Sequence, residues 1–202
     1  PYLTEHQVRK RTIDDITALI RKVKGKYSAV DFLDDNIYSD PLYARELFRA
    51  LKPLNIRWSG KSSIDIAKND EVSRLARESG CQGLLIGYEI SGGSPEKKQG
   101  GKMSLADQYL TLSRKLTALG IGIKAHFILG FDSDDIRSIF RLWAFCFRLR
   151  PKALAVTLLT PLPGSQLFDQ MLKADRFTTL NWRNFTTIRL VIRPQNLPYA
   201  LL

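Results

Sequence analysis

Apolar residues along the chain alternate between helical spacing and short continuous runs. Ile13, Ile16 and Ile20 recur at helical spacing and predict a helix over residues 12–24, with Thr12 as its N-cap. A short apolar run follows at residues 29–33 and is typical of a β-strand. The same pairing then recurs, with strands predicted at 56–59, 83–87, 121–129 and 153–159, and helices beginning near residues 39, 69, 104, 133 and 166.

This alternation predicts an α/β fold in which parallel strands are joined by right-handed helical crossovers. Strands that are apolar along most of their length indicate a sheet that is buried on both faces. Two closures are compatible with the pattern, a curved partial barrel and a flat doubly wound sheet. Beyond residue 176 the periodicity weakens, and Pro194 and Pro198 predict an irregular tail.

Composition limits the class of protein. The 202 residues suffice for one large domain or two small ones, and a hydrophobic content of 44% is ordinary for a globular protein. The sequence has no apolar run of the roughly 18 residues that a transmembrane helix needs, and its first residues lack the pattern of a signal peptide. Its two cysteines, Cys81 and Cys146, lack a metal-site spacing, and their small number favours a cytoplasmic protein.

The formal net charge of +11 raises the question of a polyanionic partner. Basic residues are distributed over the whole chain, and we identify no predicted helix in which a basic stripe is interleaved with aromatic residues. Solvated surface charge, or contact with an acidic partner domain, is therefore favoured over nucleic-acid binding. A basic nucleic-acid-binding module on an α/β scaffold is the alternative, and steeply salt-dependent RNA binding would support it.

Polar clusters follow several of the predicted strands. Loops at the carboxyl ends of barrel strands form the active-site face, so these clusters predict one shared pocket. Within the fourth predicted strand, Lys124 and His126 share one side, which we expect to face a ligand. The candidate binding residues are Asp34, Asp35, Asn36, Ser62, Glu89, His126, Gly130, Thr160 and Pro161. A structural role is the alternative for each, because Asp and Asn also form turns and buried histidines are often simply hydrogen-bonded.

Seven stretches of the sequence carry a resemblance to a known family. In chain order they are VRKRTIDDITALI, AVDFLDDNIYSD, IRWSGKSSID, GLLIGYEISGGS, LGIGIKAHFILGFDSDD, LLTPLPGSQLFDQM and RFTTLNWRNFTT. Together they resemble the core of a radical S-adenosylmethionine (SAM) enzyme, of the branch whose members often carry an N-terminal cobalamin-binding domain. The resemblance implies a partial TIM-like (β/α) barrel over residues 1–175, with residues 176–202 as the irregular tail.

The resemblance also implies a cofactor and a chemistry. It implies that SAM is bound for 5′-deoxyadenosyl-radical chemistry, and it admits cobalamin-dependent methyl transfer or a cyclisation as the reaction on a small-molecule substrate. In this interpretation Asp34, Asp35 and Glu89 accept hydrogen bonds from the methionine ammonium or the ribose. Gly130 and Phe131 would frame the adenine, and Thr160 with Pro161 would close the same pocket.

One motif of the family has no counterpart in this sequence. The family holds a [4Fe–4S] cluster through Cys-x-x-x-Cys-x-x-Cys on the loop after the first strand, and no such run occurs here. The resemblance therefore implies that the first strand, the cluster cysteines and the cobalamin domain lie outside this chain, which alone is expected to be inactive. A pseudoenzyme and an unrelated barrel enzyme are the alternatives, and the latter could use Lys61 or Lys124 as a catalytic lysine.

Overall fold

The sheet has its strands in chain order. The computed structural model describes residues 10–88 and 105–197. Its strands are β1 Val30–Phe32, β2 Trp58–Ser62, β3 Cys81–Gly87, β4 Gly122–Leu129 and β5 Ala153–Leu158. They form one five-stranded sheet in the order β1-β2-β3-β4-β5, and each neighbouring pair is parallel. The predicted α/β fold with a parallel sheet is confirmed.

The helices begin where local capping signals occur. They are α1 Ile13–Val23, α2 Pro41–Leu51, α3 Asp70–Glu78, α4 Leu105–Ala118, α5 Ile136–Leu149 and α6 Gln166–Lys173. Thr12 accepts a hydrogen bond from the amide of Asp15, and Asp135 forms a capping box with Ser138. The predicted cap of α4, Ser104, lies outside the described residues.

Strand order decides between the two closures. Right-handed crossovers that all advance in the same direction place every connecting helix on the same side of the sheet. A doubly wound sheet instead needs a reversal of strand order, which this sheet lacks. The partial barrel is therefore the correct closure.

Among the residues that the structure describes, the same strand order leaves the second side of the sheet without helices. In β4, Ile123, Ala125 and Phe127 are buried on the helix-facing side. Lys124 and Ile128 are exposed on the other side, which we call the open face. The prediction of a sheet buried on both faces is therefore wrong.

Aromatic side chains fill the core between sheet and helices. Trp58 stacks on Phe48 with ring centroids 5.2 Å apart, and Phe32 meets it edge-on at 5.5 Å. Farther along the sheet, Tyr88 packs on Phe127 at 5.6 Å. The Tyr88 hydroxyl shares a 2.7 Å hydrogen bond with Ser113, so its buried oxygen is satisfied.

A β-bulge sets the register of β3. Trp58 pairs with Cys81, but the next residue, Ser59, pairs with Gly83, so Gln82 is an extra residue in β3. This shift keeps Trp58 and Cys81 buried while Ser59 and Gly83 take the open face. Strand β2 begins at Trp58, two residues later than predicted, and extends to Ser62.

A second, smaller core joins α6 to the chain that follows it. Met171, Val191 and Ile192 are buried together, and Phe177 forms an antiparallel bridge with Ile192. The amide of Leu158 at the end of β5 donates a 2.6 Å hydrogen bond to the carbonyl of Thr187. The tail therefore packs against the last strand. Within the described ranges, no helix is long and apolar enough to cross a membrane.

Candidate functional site

The open face consists of alternate residues from neighbouring strands, arranged in rows by the sheet register. One row runs from Lys61 through Leu85 and Lys124 to Ala153. The next row, closer to the carboxyl edge, runs from Gly87 through His126 to Ala155. Because neighbouring strands are about 4.8 Å apart, Lys61 and Lys124 lie roughly 10 Å apart across the face. Polar groups thus flank a central strand with small and aliphatic residues.

Two hydrogen-bonded pairs occupy the β1–β2 side of the open face. Ser59 Oγ donates to Asp31 Oδ1 at 2.7 Å, and Lys61 Nζ donates to Asp35 Oδ1 at 2.7 Å. The Lys61 ammonium, through this hydrogen bond and its charge, lowers the pKa of the Asp35 carboxyl. The Asp35 side chain is otherwise fully exposed. The candidate binding residues included Asp35 but missed Asp31 and Ser59, although the alternation of Ser59 and Lys61 along β2 signals this face.

A histidine–threonine pair occupies the β4–β5 side. His126 Nε2 and Thr157 Oγ1 are 3.0 Å apart, and the imidazole is half-buried. Beside His126 in the same row, a Cβ on Gly87 would meet no atom within 4 Å. A ligand therefore has room to approach the imidazole over β3. Thr157 was not among the candidates; it lies two residues beyond Ala155, the register partner of His126, on the same side of β5.

Two candidate residues at the carboxyl ends of β1 and β2, Asn36 and Ser62, have structural contacts. The Asn36 side-chain oxygen accepts hydrogen bonds from the amides of Tyr38 and Ser63, both at 3.0 Å, and so joins the loops after β1 and β2. Ser62 is buried on the helix-facing side and donates to the carbonyl of Ser63. Asp34 is exposed in the same β1 loop. Glu89 lies outside the described residues.

The loop after β4 forms a closed turn. The amides of Gly130 and Phe131 donate to Asp134 Oδ2 at 2.9 and 3.1 Å, so these backbone donors are already engaged. Gly130 has a φ of +103°, a conformation that side chains strongly disfavour. Thr160 Oγ1 donates to the carbonyl of Leu158, and Pro161 is buried. These residues lie at the same sheet edge as Asp35, because carboxyl ends of parallel strands share one edge.

Residues of the C-terminal tail form hydrogen bonds to the loop after β4. Arg176 Nη1 donates to Asp132 Oδ2 at 2.7 Å, and Nη2 completes a bidentate pair with Oδ1. Asn196 Nδ2 donates to the Asp132 carbonyl at 2.6 Å. The Arg176 guanidinium lowers the pKa of the Asp132 carboxyl, and the carboxylate raises the pKa of Arg176. The contact holds the β4 loop at the carboxyl edge.

The two thiols do not fit a metal cluster. Cys81 begins β3, at the end opposite the carboxyl edge, and burial raises its pKa to about 12. Cys146 lies half-buried on α5, and burial also raises its pKa. A [4Fe–4S] cluster needs several thiolates together, and these residues lie on separate elements away from the open face. Within residues 10–88 and 105–197, no group of three His, Cys, Asp or Glu side chains could hold a metal ion.

Sequence comparison identifies methyltransferases as relatives. No protein-family model matches the sequence. The chain is 29% identical to bacteriochlorophyllide d C-12(1)-methyltransferase of Chlorobaculum tepidum over 185 residues, which is 92% of this chain and 40% of that protein. It is 24% identical to bacteriochlorophyllide d C-8(2)-methyltransferase of the same organism, over 96% of this chain and 42% of that protein. The chain thus spans about 40% of the length of these relatives.

Structural comparison gives the fold. The radical SAM methyltransferase TsrM from Kitasatospora setae, with cobalamin and a [4Fe–4S] cluster bound, superposes with a TM-score of 0.68 at 14% identity, over 82% of this chain and 34% of that chain. SuiB from Streptococcus suis, bound to SAM, superposes with a TM-score of 0.57 at 14% identity, over 81% and 38%. This chain therefore has the TIM-barrel-like fold of radical SAM proteins, and its curated relatives include methyltransferases.

Proposed function

We propose that this chain is the SAM-binding barrel of a radical SAM methyltransferase that acts on a small organic substrate. The observation that carries the proposal is the uncovered polar face of a chain-ordered parallel sheet, in a fold shared with SAM-dependent methyltransferases. Similarity to methyltransferases over 92% of the chain supports methyl transfer over cyclisation. Cobalamin is a candidate second cofactor, because TsrM binds it.

The Lys61–Asp35 pair is our candidate for the amino-acid end of SAM. That end is a zwitterion, with an ammonium and a carboxylate on one carbon. An exposed ammonium and carboxylate in contact at 2.7 Å present the complementary charges at the carboxyl edge. Each can exchange its protein partner for the opposite charge of the ligand. Asp34, exposed in the same loop, adds a second carboxylate.

The β4–β5 side is our candidate for the remainder of the cofactor and the substrate. His126 and Thr157 can donate to or accept from hydroxyl groups, and Gly87 leaves space beside them. Gly130, Thr160 and the buried Pro161 would line the end of this space at the carboxyl edge.

A [4Fe–4S] cluster would supply the electron that cleaves SAM in a radical mechanism. Because neither Cys81 nor Cys146 fits as its ligand, the proposal assigns the cluster thiolates to residues outside this chain. The residues of this chain would bind and orient SAM and the methyl acceptor, and exclude water from them.

The test uses the full-length gene product, purified without oxygen and reconstituted with iron and sulfide. We expect cluster absorbance, SAM-dependent formation of S-adenosylhomocysteine or 5′-deoxyadenosine, and methylation of an acceptor. Lys61→Met should weaken SAM binding about tenfold, since it removes a hydrogen bond to a charged group. The matched control is Lys52→Met, which removes a salt bridge of the same 2.7 Å length, to Glu78, on the helix side of the sheet. This variant should bind SAM as the unchanged protein does. Absence of SAM binding by the reconstituted protein, or equal effects of both substitutions, would contradict the proposal.

A further inference from the structure

Helix α5 carries a second apolar stripe on its outer surface. Phe140, Trp143 and Phe147 are 69%, 59% and 72% exposed, and Ile136 begins the same stripe one turn earlier. Their spacing of four, three and four residues places them along one side of the helix. The core-facing residues of α5 are instead Leu142 and Phe145. Burial in the core therefore does not explain the stripe.

Two residues of β5 extend the exposed apolar surface on the helix side of the sheet. Leu154 and Val156 pair in register with the buried Ala125 and Phe127 of β4, yet both are exposed. On β4 the helices cover this side of the sheet, whereas at β5 it is accessible. Aromatic side chains of α5 and aliphatic side chains of the following strand, β5, are thus both exposed, more than scattered single residues would explain.

Basic residues outnumber acidic residues around this stripe. Residues 136–150 contain no acidic residue, and their exposed basic residues are Arg137, Arg141, Arg148 and Arg150. Arg141 contacts Asp135, the N-cap residue of α5, and Arg148 contacts Asp107 of α4. We call the stripe and these four cations the α5 surface.

We propose that the α5 surface binds an anionic lipid bilayer, with α5 lying parallel to the membrane plane. Exposed Phe and Trp on one side of a helix, flanked by arginines, are the features of interfacial helices. The aromatic rings would enter the boundary between headgroups and acyl chains, and the guanidinium groups would contact the phosphates. At 1.5 Å per residue, the helix offers a contact line about 21 Å long.

The charges favour this occupant over others. A second copy of the chain, related by two-fold symmetry, would bring arginines against arginines, which is repulsive. A nucleic acid could stack on the rings, but the aliphatic side chains Ile136, Leu154 and Val156 contribute nothing to stacking and favour an apolar medium. The inference is independent of the proposed function, because α5 lies on the opposite side of the sheet from the open face.

The test is vesicle flotation with the full-length protein. We expect binding to vesicles that contain 30% phosphatidylserine in phosphatidylcholine, little binding to pure phosphatidylcholine, and weaker binding as salt increases. The double substitution Trp143→Glu and Phe147→Glu should lower the partition coefficient about tenfold or more. Arg137→Ser with Arg141→Ser should reduce binding to anionic vesicles alone. The control is Leu19→Glu on α1, where the apolar side chain is 51% exposed, and this variant should bind as the unchanged protein does.

Circular dichroism and urea unfolding verify that each variant is folded before it is compared. The proposal is overturned if the full-length protein does not float with anionic vesicles, or if Leu19→Glu and the α5 double substitution reduce binding equally. It is also overturned if the α5 substitutions leave vesicle binding unchanged and instead abolish dimerisation, RNA binding or binding to an acidic protein.

Discussion

The two sides of the same β-sheet differ in what they contribute. On β4, Ile123 and Phe127 are buried against the helices, whereas Lys124 and His126, their immediate neighbours, point to the open face. In a sheet whose strands follow chain order, the crossovers cover one side only, so packing and ligand contact are divided between alternate residues. Substitutions one position apart should therefore have effects of different kinds, on stability for one side and on binding for the other.

The largest expected effect comes from truncating the covered side. Phe127→Ala removes a fully buried ring that packs on Tyr88 and Phe145, and should lower the free energy of unfolding by about 3–5 kcal/mol. Ile128→Ala, one residue later on the open face, should cost about 1 kcal/mol or less. Urea unfolding of both variants measures the difference. Equal losses would mean that the two sides of β4 are not divided as described.

Two glycines near the carboxyl edge, Gly130 and Gly87, should respond differently to substitution by alanine. Gly130→Ala forces a side chain into a φ of +103° and should destabilise the protein by about 1–2 kcal/mol, from backbone strain. Gly87→Ala meets no atom within 4 Å and should leave the free energy of unfolding within about 0.5 kcal/mol. Thermal unfolding of the two variants tests this. A neutral Gly130→Ala would show that the turn relaxes freely.

The tail contact should depend on pH. Because Arg176 lowers the pKa of Asp132 in the folded protein, the pair stabilises the fold above the unfolded pKa of about 4, and this contribution is lost as pH falls through the folded pKa. Asp132→Asn should therefore cost about 1 kcal/mol at pH 7 and less at pH 3, given the partial exposure of the pair. Urea unfolding at both pH values measures it. A cost that does not change with pH would argue against the ion pair.

The smallest effect on stability is expected on the open face itself. Lys61→Met removes a pair whose Asp35 partner is fully exposed, so the free energy of unfolding should change by less than about 0.5 kcal/mol. The same variant is expected to bind SAM more weakly, as proposed above. Calorimetric titration beside urea unfolding separates the two quantities. A large loss of stability would mean that Lys61 contributes mainly to packing, which would contradict its assignment to ligand binding.

Local signals made most helices predictable. Helix α6 occupies residues 166–173 as predicted, and Thr12 and Asn69 cap α1 and α3 as predicted, because capping depends on a few adjacent residues. Strand β2 was misplaced because Gly60, Lys61 and Ser62 are small or polar, and one of its sides faces no helix. Apolar pattern alone does not identify such a strand.

Long-range relations limited the prediction of the site. The carboxyl-edge cluster around Asp35 could be predicted, because parallel strands share an edge. Neither the pairing of His126 with Thr157 nor the burial of Ser62 could be predicted, since both depend on strand register. The outward direction of the α5 stripe was missed for a related reason: the residues of α5 are apolar on two sides, and only the packed structure shows which side meets the core.

The bulge at Gln82 determines which side chains of β3 face the helices and which face the open side. If Gln82 instead paired with Ser59 while Trp58 still paired with Cys81, Leu84 and Ile86 would turn toward the open face, and Leu85 and Gly87 toward the helices. A one-residue slip of the pairing here therefore inverts a whole strand, whereas a similar change in a surface loop alters only the loop. Natural variants that lack Gln82 should accordingly keep the same side chains on each side of β3, because loss of the bulged residue leaves the pairing of Ser59 with Gly83 intact.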